Sequence, residues 1–192
     1  SYTPSGGNSI SLGDDDYAAI AIPFSFPYYG SSYTTAYVGS NGYVTFQSGD
    51  TTYSESFGVH FDQPRISMLF DDLNPSAGGS VNWKTVGDAF VVTWNGVAEY
   101  GTSNSNTFQL ALFPNGEFLL AWADLDVGDA IIGLSPGGGI APNFIQNDLS
   151  SSESGCLPRP PSVQDISIST LPGVAVDITL LGNDDGEPFP MR

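Results

Sequence analysis

Four short acidic groups punctuate this sequence: Asp14-Asp15-Asp16, Asp71-Asp72, Asp124 with Asp126 and Asp129, and Asp184-Asp185 after Asn183. Carboxylates gathered in turns are the natural ligands of hard cations, which take about six to eight oxygens from side chains, backbone carbonyls and water. Each group therefore reads as a candidate Ca²⁺ ligand set. The run from Asp124 to Asp129 is the densest, with three carboxylates ahead of an apolar stretch. It is not an EF-hand loop, which needs a D-x-D-x-D-G core closed by a glutamate. The competing reading is structural: aspartates cap turns by accepting nearby backbone N–H groups.

Catalytic patterns are weaker. Gly133-Leu134-Ser135-Pro136-Gly137 matches G-x-S-x-G, but an oxyanion hole uses the backbone N–H after the serine. Pro136 stands there and has none, so the stretch reads as a turn. His60 is the single histidine; no serine is marked as its partner, and a multi-histidine metal site is excluded. With 21 acidic residues, spacing alone singles out no pair for glycoside hydrolysis. No enzyme is read here. Tyr28, Tyr29, Tyr33 and Tyr37 crowd one stretch and offer an alternative chemistry, stacking on sugar rings; exposed strand faces carry tyrosine for simpler reasons too. Trp83, Trp94 and Trp122 fall in alternating runs and read as core.

Charge narrows the classes further. The chain has 192 residues, with 21 acidic against 4 basic, for a net charge of −17. Phosphate backbones and anionic lipid surfaces repel such a surface, so no nucleic-acid partner and no membrane insertion are expected. No run of 18 apolar residues exists, the minimum for a spanning helix. The single Cys156 excludes an internal disulfide framework and a cysteine zinc cluster.

Positioning these groups falls to strands. Only 13% of residues are charged, while 23 glycines and 14 prolines break the chain into short segments. That composition disfavours long helices. Tyr17 to Phe26 alternates but contains Pro23, which suits an edge strand. Asn41-Gly42, Gly87-Asp88 and Pro114-Asn115-Gly116-Glu117 mark hairpin turns between apolar runs. Ile66 to Leu73 reads as a buried strand and Ala130 to Leu134 as a further one. The expected fold is all-β, an antiparallel β-sandwich of about nine strands, followed by a C-terminal β-hairpin or donor-strand extension. Three segments are expected: a sandwich over 1–146, a Ser- and Pro-rich linker over 147–161, and a strand pair over 162–192.

The ordered set FSFPYYGSSY, VGSNGYVTF, ISMLFDDL, GGSVNW, AFVVTWNGV and TFQLALFPNGEFLLAW resembles the nidogen-like (NIDO-type) extracellular β-domain of secreted and surface proteins. The resemblance implies a secreted or surface-attached module with an adhesive or matrix role and no catalysis. The tail, PSVQDISISTLPGVAVDITLLGNDDGEP, resembles the opening strands of the cadherin-like or immunoglobulin-like repeats of bacterial surface proteins, a fold that needs about 100 residues to close.

A lone hairpin is marginal in water, so Val163, Ile166, Ile168, Val174, Val176, Ile178 and Leu180 are expected to bind a partner sheet. Three answers stay open: docking on the chain's own sandwich, a fragment of a longer repeat, or donation to a neighbouring copy. Donation is the reading carried forward. It implies a head-to-tail homopolymer at the cell surface or outside the cell, clamped by Ca²⁺, with glycan binding as the alternative.

Overall fold

The computed structural model describes residues 3–148, and the backbone of two short paired segments, 162–163 and 182–183. The chain forms two compact units, Ser1–Phe144 and Ile145–Arg192. In the first unit eleven strands build two antiparallel sheets: β1 (Asn8–Ile10), β2 (Tyr17–Tyr28), β3 (Ser31–Gly39), β4 (Tyr43–Thr45), β5 (Pro64–Phe70), β6 (Leu73–Asn74), β7 (Ser80–Val86), β8 (Ala89–Glu99), β9 (Asn106–Leu112), β10 (Phe118–Asp124) and β11 (Ile131–Pro136). One sheet runs β1-β7-β8-β9-β10 with β6 also on β8; the other runs β11-β5-β4-β3-β2. The all-β sandwich expected from turn spacing is present. β1 and β6 raise the strand number, because segments of three and two residues are too short to display alternation.

Alternation decides which side chains meet between the sheets. On β8, Phe90, Val92 and Trp94 point inward and join Phe26, Val38, Ile66, Met68, Phe108 and Leu110 in one core. Trp94 stacks on Phe108 with centroids 5.1 Å apart and donates Nε1–H to the Gly39 carbonyl at 3.1 Å. Each large side chain removed from water here contributes about 1.5–3 kcal/mol. β5 is buried along its whole length, as expected for Ile66 to Leu73. β2 is an edge strand whose pairing with β3 is interrupted between Ala21 and Phe26, where Pro23 can donate nothing to the ladder. Gly87-Asp88 joins Val86 to Ala89 as a two-residue turn with Gly87 at φ +62°, the first-position glycine that a type II′ hairpin requires.

Three expectations change. The G-x-S-x-G stretch is the end of strand β11, not a turn. Ser135 pairs with Arg65, is fully buried, and donates its hydroxyl to the Gln63 carbonyl at 3.0 Å. Trp122 is 41% exposed at the edge of its sheet, its Nε1–H donated to the Met68 carbonyl of the opposite sheet at 2.8 Å. It bridges the layers rather than filling the core. Tyr28, which the alternative reading placed on a sugar-stacking platform, is 6% exposed and donates its hydroxyl to the Arg65 carbonyl at 2.8 Å. The strict alternation of β2 turns it inward beside Phe46. Of the other platform residues, Tyr33 packs on the core, Tyr37 is half-buried and Tyr29 is exposed.

One helical turn, α1 (Phe57–His60), starts at Ser56, whose hydroxyl accepts the Val59 N–H at 3.2 Å. Four residues carry no readable period. It delivers His60 into the protein, Nδ1 against the Ser67 hydroxyl at 2.9 Å, with Gly133 leaving room for the ring. Burial chiefly pushes the His60 pKa down to about 4. Among the described residues no helix is long and apolar enough to cross a membrane. In the second unit β12 (Ser162–Val163) pairs antiparallel with β13 (Gly182–Asn183).

Two predictions follow from buried positions that lack slack. Gly42 sits at φ +73°, and a Cβ there would lie 1.9 Å from the Leu69 carbonyl oxygen; Gly30, at φ +79°, faces open space. Gly30→Ala should cost about 1–2 kcal/mol, whereas Gly42→Ala adds a backbone clash and should exceed about 3 kcal/mol or prevent folding. Urea unfolding of both variants checks the difference. His60 stays neutral in the fold while the unfolded chain protonates near its ordinary pKa of 6.5. Its stabilising contribution is therefore full above that value and is lost as pH falls toward about 4. In His60→Gln the loss of stability between these limits should be shallower by up to one proton's slope, read from unfolding midpoints across that range.

Candidate metal centre

The loop Ser40-Asn41-Gly42 between β3 and β4 is buried, and it gathers distant segments. Ser40 takes both polar groups of the Asp16 backbone: its N–H donates to the Asp16 carbonyl at 2.8 Å and its hydroxyl accepts the Asp16 N–H at 3.0 Å. Asn41 donates from Nδ2 to Asp15 Oδ1 at 3.0 Å and to the Thr52 carbonyl at 3.2 Å, and accepts the Leu73 N–H on Oδ1 at 2.9 Å. One side chain thus holds the β1–β2 turn beside the β5–β6 turn.

The consequence is electrostatic. Asp14, Asp15 and Asp72 each bring a carboxylate oxygen within 4.8 Å of the other two. Asp15 occupies the left-handed region at φ +47°, which Asp tolerates better than most residues. Loss of solvent raises the pKa of Asp14, with Asp15 adding to it; loss of solvent raises that of Asp72, with Asp15, Asp14 and Glu55 adding. Among the described residues no lysine or arginine relieves this repulsion. Arg65 is fully buried, paired with Asp50 and Asp62, and lies over the Tyr43 ring at 4.5 Å. Lys84 donates to the carbonyls of Thr3 and Ser5.

A Ca²⁺ ion holds its oxygens at about 2.3–2.6 Å, so any two of them lie within about 5 Å of each other. The three carboxylates meet that limit. They are hard anionic donors, Asp14 exposed and Asp15 and Asp72 partly so, leaving room for water or a further ligand to complete the shell. The residues present fit a divalent cation.

The other acidic groups are placed differently. Asp16 spends its carboxylate on its own turn, accepting the Gly13 N–H at 3.0 Å and the Tyr17 N–H at 2.8 Å. Asp71 turns away from Asp72 into the protein, beside Glu99. Burial chiefly pushes its pKa up to about 7, with Glu99 adding to the rise. Its Oδ1 accepts the Asp72 N–H at 2.8 Å. Asp126 braces the loop after β10: its backbone N–H donates to Asn106 Oδ1 at 2.8 Å and its carboxylate accepts the Ser105 N–H at 3.3 Å. Asp124 and Asp129 are exposed and form no triad with it among the described residues. Within this run Asp126 serves as a loop brace. Asp184 and Asp185 lie outside the described residues, as do Ile166, Ile168, Val174, Val176, Ile178, Leu180 and Cys156, while Val163 contributes only its backbone pairing. The residues missed in the sequence are Asn41 and Glu99. Asn41 was visible, but as a turn signal rather than a buried clamp.

A second concavity lies at His60: a cavity of about 140 Å³ lined by Phe57, Phe61, Ile131, Ile132 and Phe144. Its one ionisable group is His60.

No solved structure matches the chain. The family described as NIDO related matches residues 1–155, most of the 192-residue chain, and membership points to an extracellular module. On that match, and with the two-layer antiparallel sandwich in place, the chain belongs to the NIDO-related family.

Proposed function

We propose that this NIDO-related sandwich is a non-catalytic extracellular building block, closed at one end by a calcium ion and joined to further copies through its C-terminal strands. The convergence of Asp14, Asp15 and Asp72 carries the reading. Two turns far apart in sequence meet there as unneutralised carboxylates, an arrangement that costs stability until a cation occupies it. An ion bridging both turns would stiffen the end of the sandwich that the Asn41 loop organises. Linkage through the C-terminal strands rests on the alternation of Val174, Val176, Ile178 and Leu180 and on the antiparallel pairing of β12 with β13. Strand addition supplies main-chain hydrogen bonds and needs no complementary charge, which suits a chain of net charge −17.

Calorimetric titration of the full chain with CaCl₂ tests the ion. One site is expected, and free Ca²⁺ at about 100 times its dissociation constant should raise the unfolding temperature by about 5–10 °C. Asp15→Asn and Asp72→Asn should each weaken binding about tenfold or more. Absence of both heat and thermal shift would sink the calcium reading. Light scattering on a sizing column tests linkage, comparing the full chain with one ending at Leu157. The full chain alone should polymerise; two monomers would refute assembly through the C-terminal strands.

A further inference from the structure

The turn between β5 and β6 sends its two aspartates to different places. Asp72 joins Asp14 and Asp15, while Asp71 enters the protein and is only 7% exposed. The two oxygens of Asp71 fare unequally. Oδ1 accepts the Asp72 N–H at 2.8 Å, whereas Oδ2 is buried and meets no hydrogen-bond donor among the described residues. A buried carboxylate oxygen without a partner is costly to keep, so this atom calls for a source of positive charge.

Its surroundings are acidic. The Asp71 carboxyl lies within hydrogen-bonding reach of Glu99, and the charge of Glu55 also bears on it. Backbone pairing enforces the approach. Leu73 pairs with Glu99 across β6 and β8, and the Tyr100 N–H donates to the Asp72 carbonyl at 2.7 Å. Asn104 then fixes Glu99: its Oδ1 accepts the Glu99 N–H at 2.8 Å, and its Nδ2 donates to Glu99 Oε2. The same Nδ2 reaches the Asp126 carbonyl at 3.2 Å. Arg65 and Lys84, the basic residues among those described, are committed elsewhere.

We infer that Asp71 and Glu99 form a second Ca²⁺ site, distinct from the triad, with Asp71 Oδ2 and the Glu99 carboxylate as its anionic ligands. A shared proton is the competing occupant, and charge decides against it. One proton cancels one of the three charges that Asp71, Glu99 and Glu55 bring together, whereas Ca²⁺ cancels two. Asn104 is the outer partner that orients a ligating carboxylate. Asp71 and Asp72 then give one carboxylate to each ion, so a single turn ties both ions to the ends of β5 and β8. With two carboxylates in place of three, and one of them buried, this site fills at Ca²⁺ concentrations beyond those that saturate the triad. It does not rest on the triad holding an ion.

Thermal unfolding in CaCl₂ and in EDTA tests the site in the full chain carrying Asp15→Asn and Asp72→Asn, which silence the triad. Near-ultraviolet circular dichroism confirms the fold of each variant. Free Ca²⁺ at about ten times the dissociation constant of the second site should still raise the unfolding temperature by about 3–5 °C. Adding Asp71→Asn or Glu99→Gln should abolish that rise. Should the double variant not fold, the wild type carries the same test. Its calorimetric titration, taken into the millimolar range, should show a second, weaker phase that Asp71→Asn removes while the tight phase stays. A folded triad-silent variant that gains nothing from Ca²⁺ would leave the proton as occupant and overturn the inference. So would a rise, or a weak phase, that survives both Asp71→Asn and Glu99→Gln, which would place the ion elsewhere. A weak phase lost in those variants, with no tight phase in the wild type, would uphold this site and reject the triad.

Discussion

The buried loop Ser40-Asn41-Gly42 is the constraint on which the rest of the structure depends. Gly42 presses its α-carbon against the Leu69 carbonyl and accepts the N–H groups of Met68 and Leu69 on its own carbonyl. Asn41 clamps the Asp15 and Leu73 turns, and Ser40 clamps Asp16. Buried polar groups without partners are expensive, so such a loop is stable only when every segment it holds is in place. It therefore couples the start of β2, the end of β5 and the β3–β4 hairpin into one cooperative corner.

The same corner creates the electrostatic character of the protein. By fixing two acidic turns side by side, it concentrates charge that neither Arg65 nor Lys84, the basic residues among those described, neutralises. Arg65 is committed inside the small sheet, where Asp50 and Asp62 neutralise it and Tyr43 and Phe70 cover its face. A buried guanidinium of this kind stabilises little on balance but is costly to orphan. Its role is to lock the loop after β4 onto β5. Among the described residues positive charge is spent on architecture, and negative charge gathers at the loop end.

The sandwich also divides its labour between faces and edges. Interior faces supply the packing, with Trp94 and Phe108 at the centre and Trp122 tying the layers at one margin. Edges decide what else can be added. Proline and register shifts protect β2 and β11 from adding a further strand.

Much of this was legible in the residues. Turn pairs such as Gly87-Asp88, the alternation of Phe90, Val92 and Trp94, and the run Ile66 to Leu73 specify an all-β sandwich because strand periodicity and turn chemistry are local properties. The likeness to NIDO-type domains was equally open, being carried by short ordered stretches, and the acidic excess was plain. Tertiary structure alone decided which acids meet. Asp14, Asp15 and Asp72 converge because Asn41 holds their turns, while Asp126 braces a loop. It also decided that Tyr28 is core and that Trp122 is a margin. Sequence determines the local period and the chemistry of each side chain; only packing brings distant turns within a few ångströms, and electrostatic function depends on those distances.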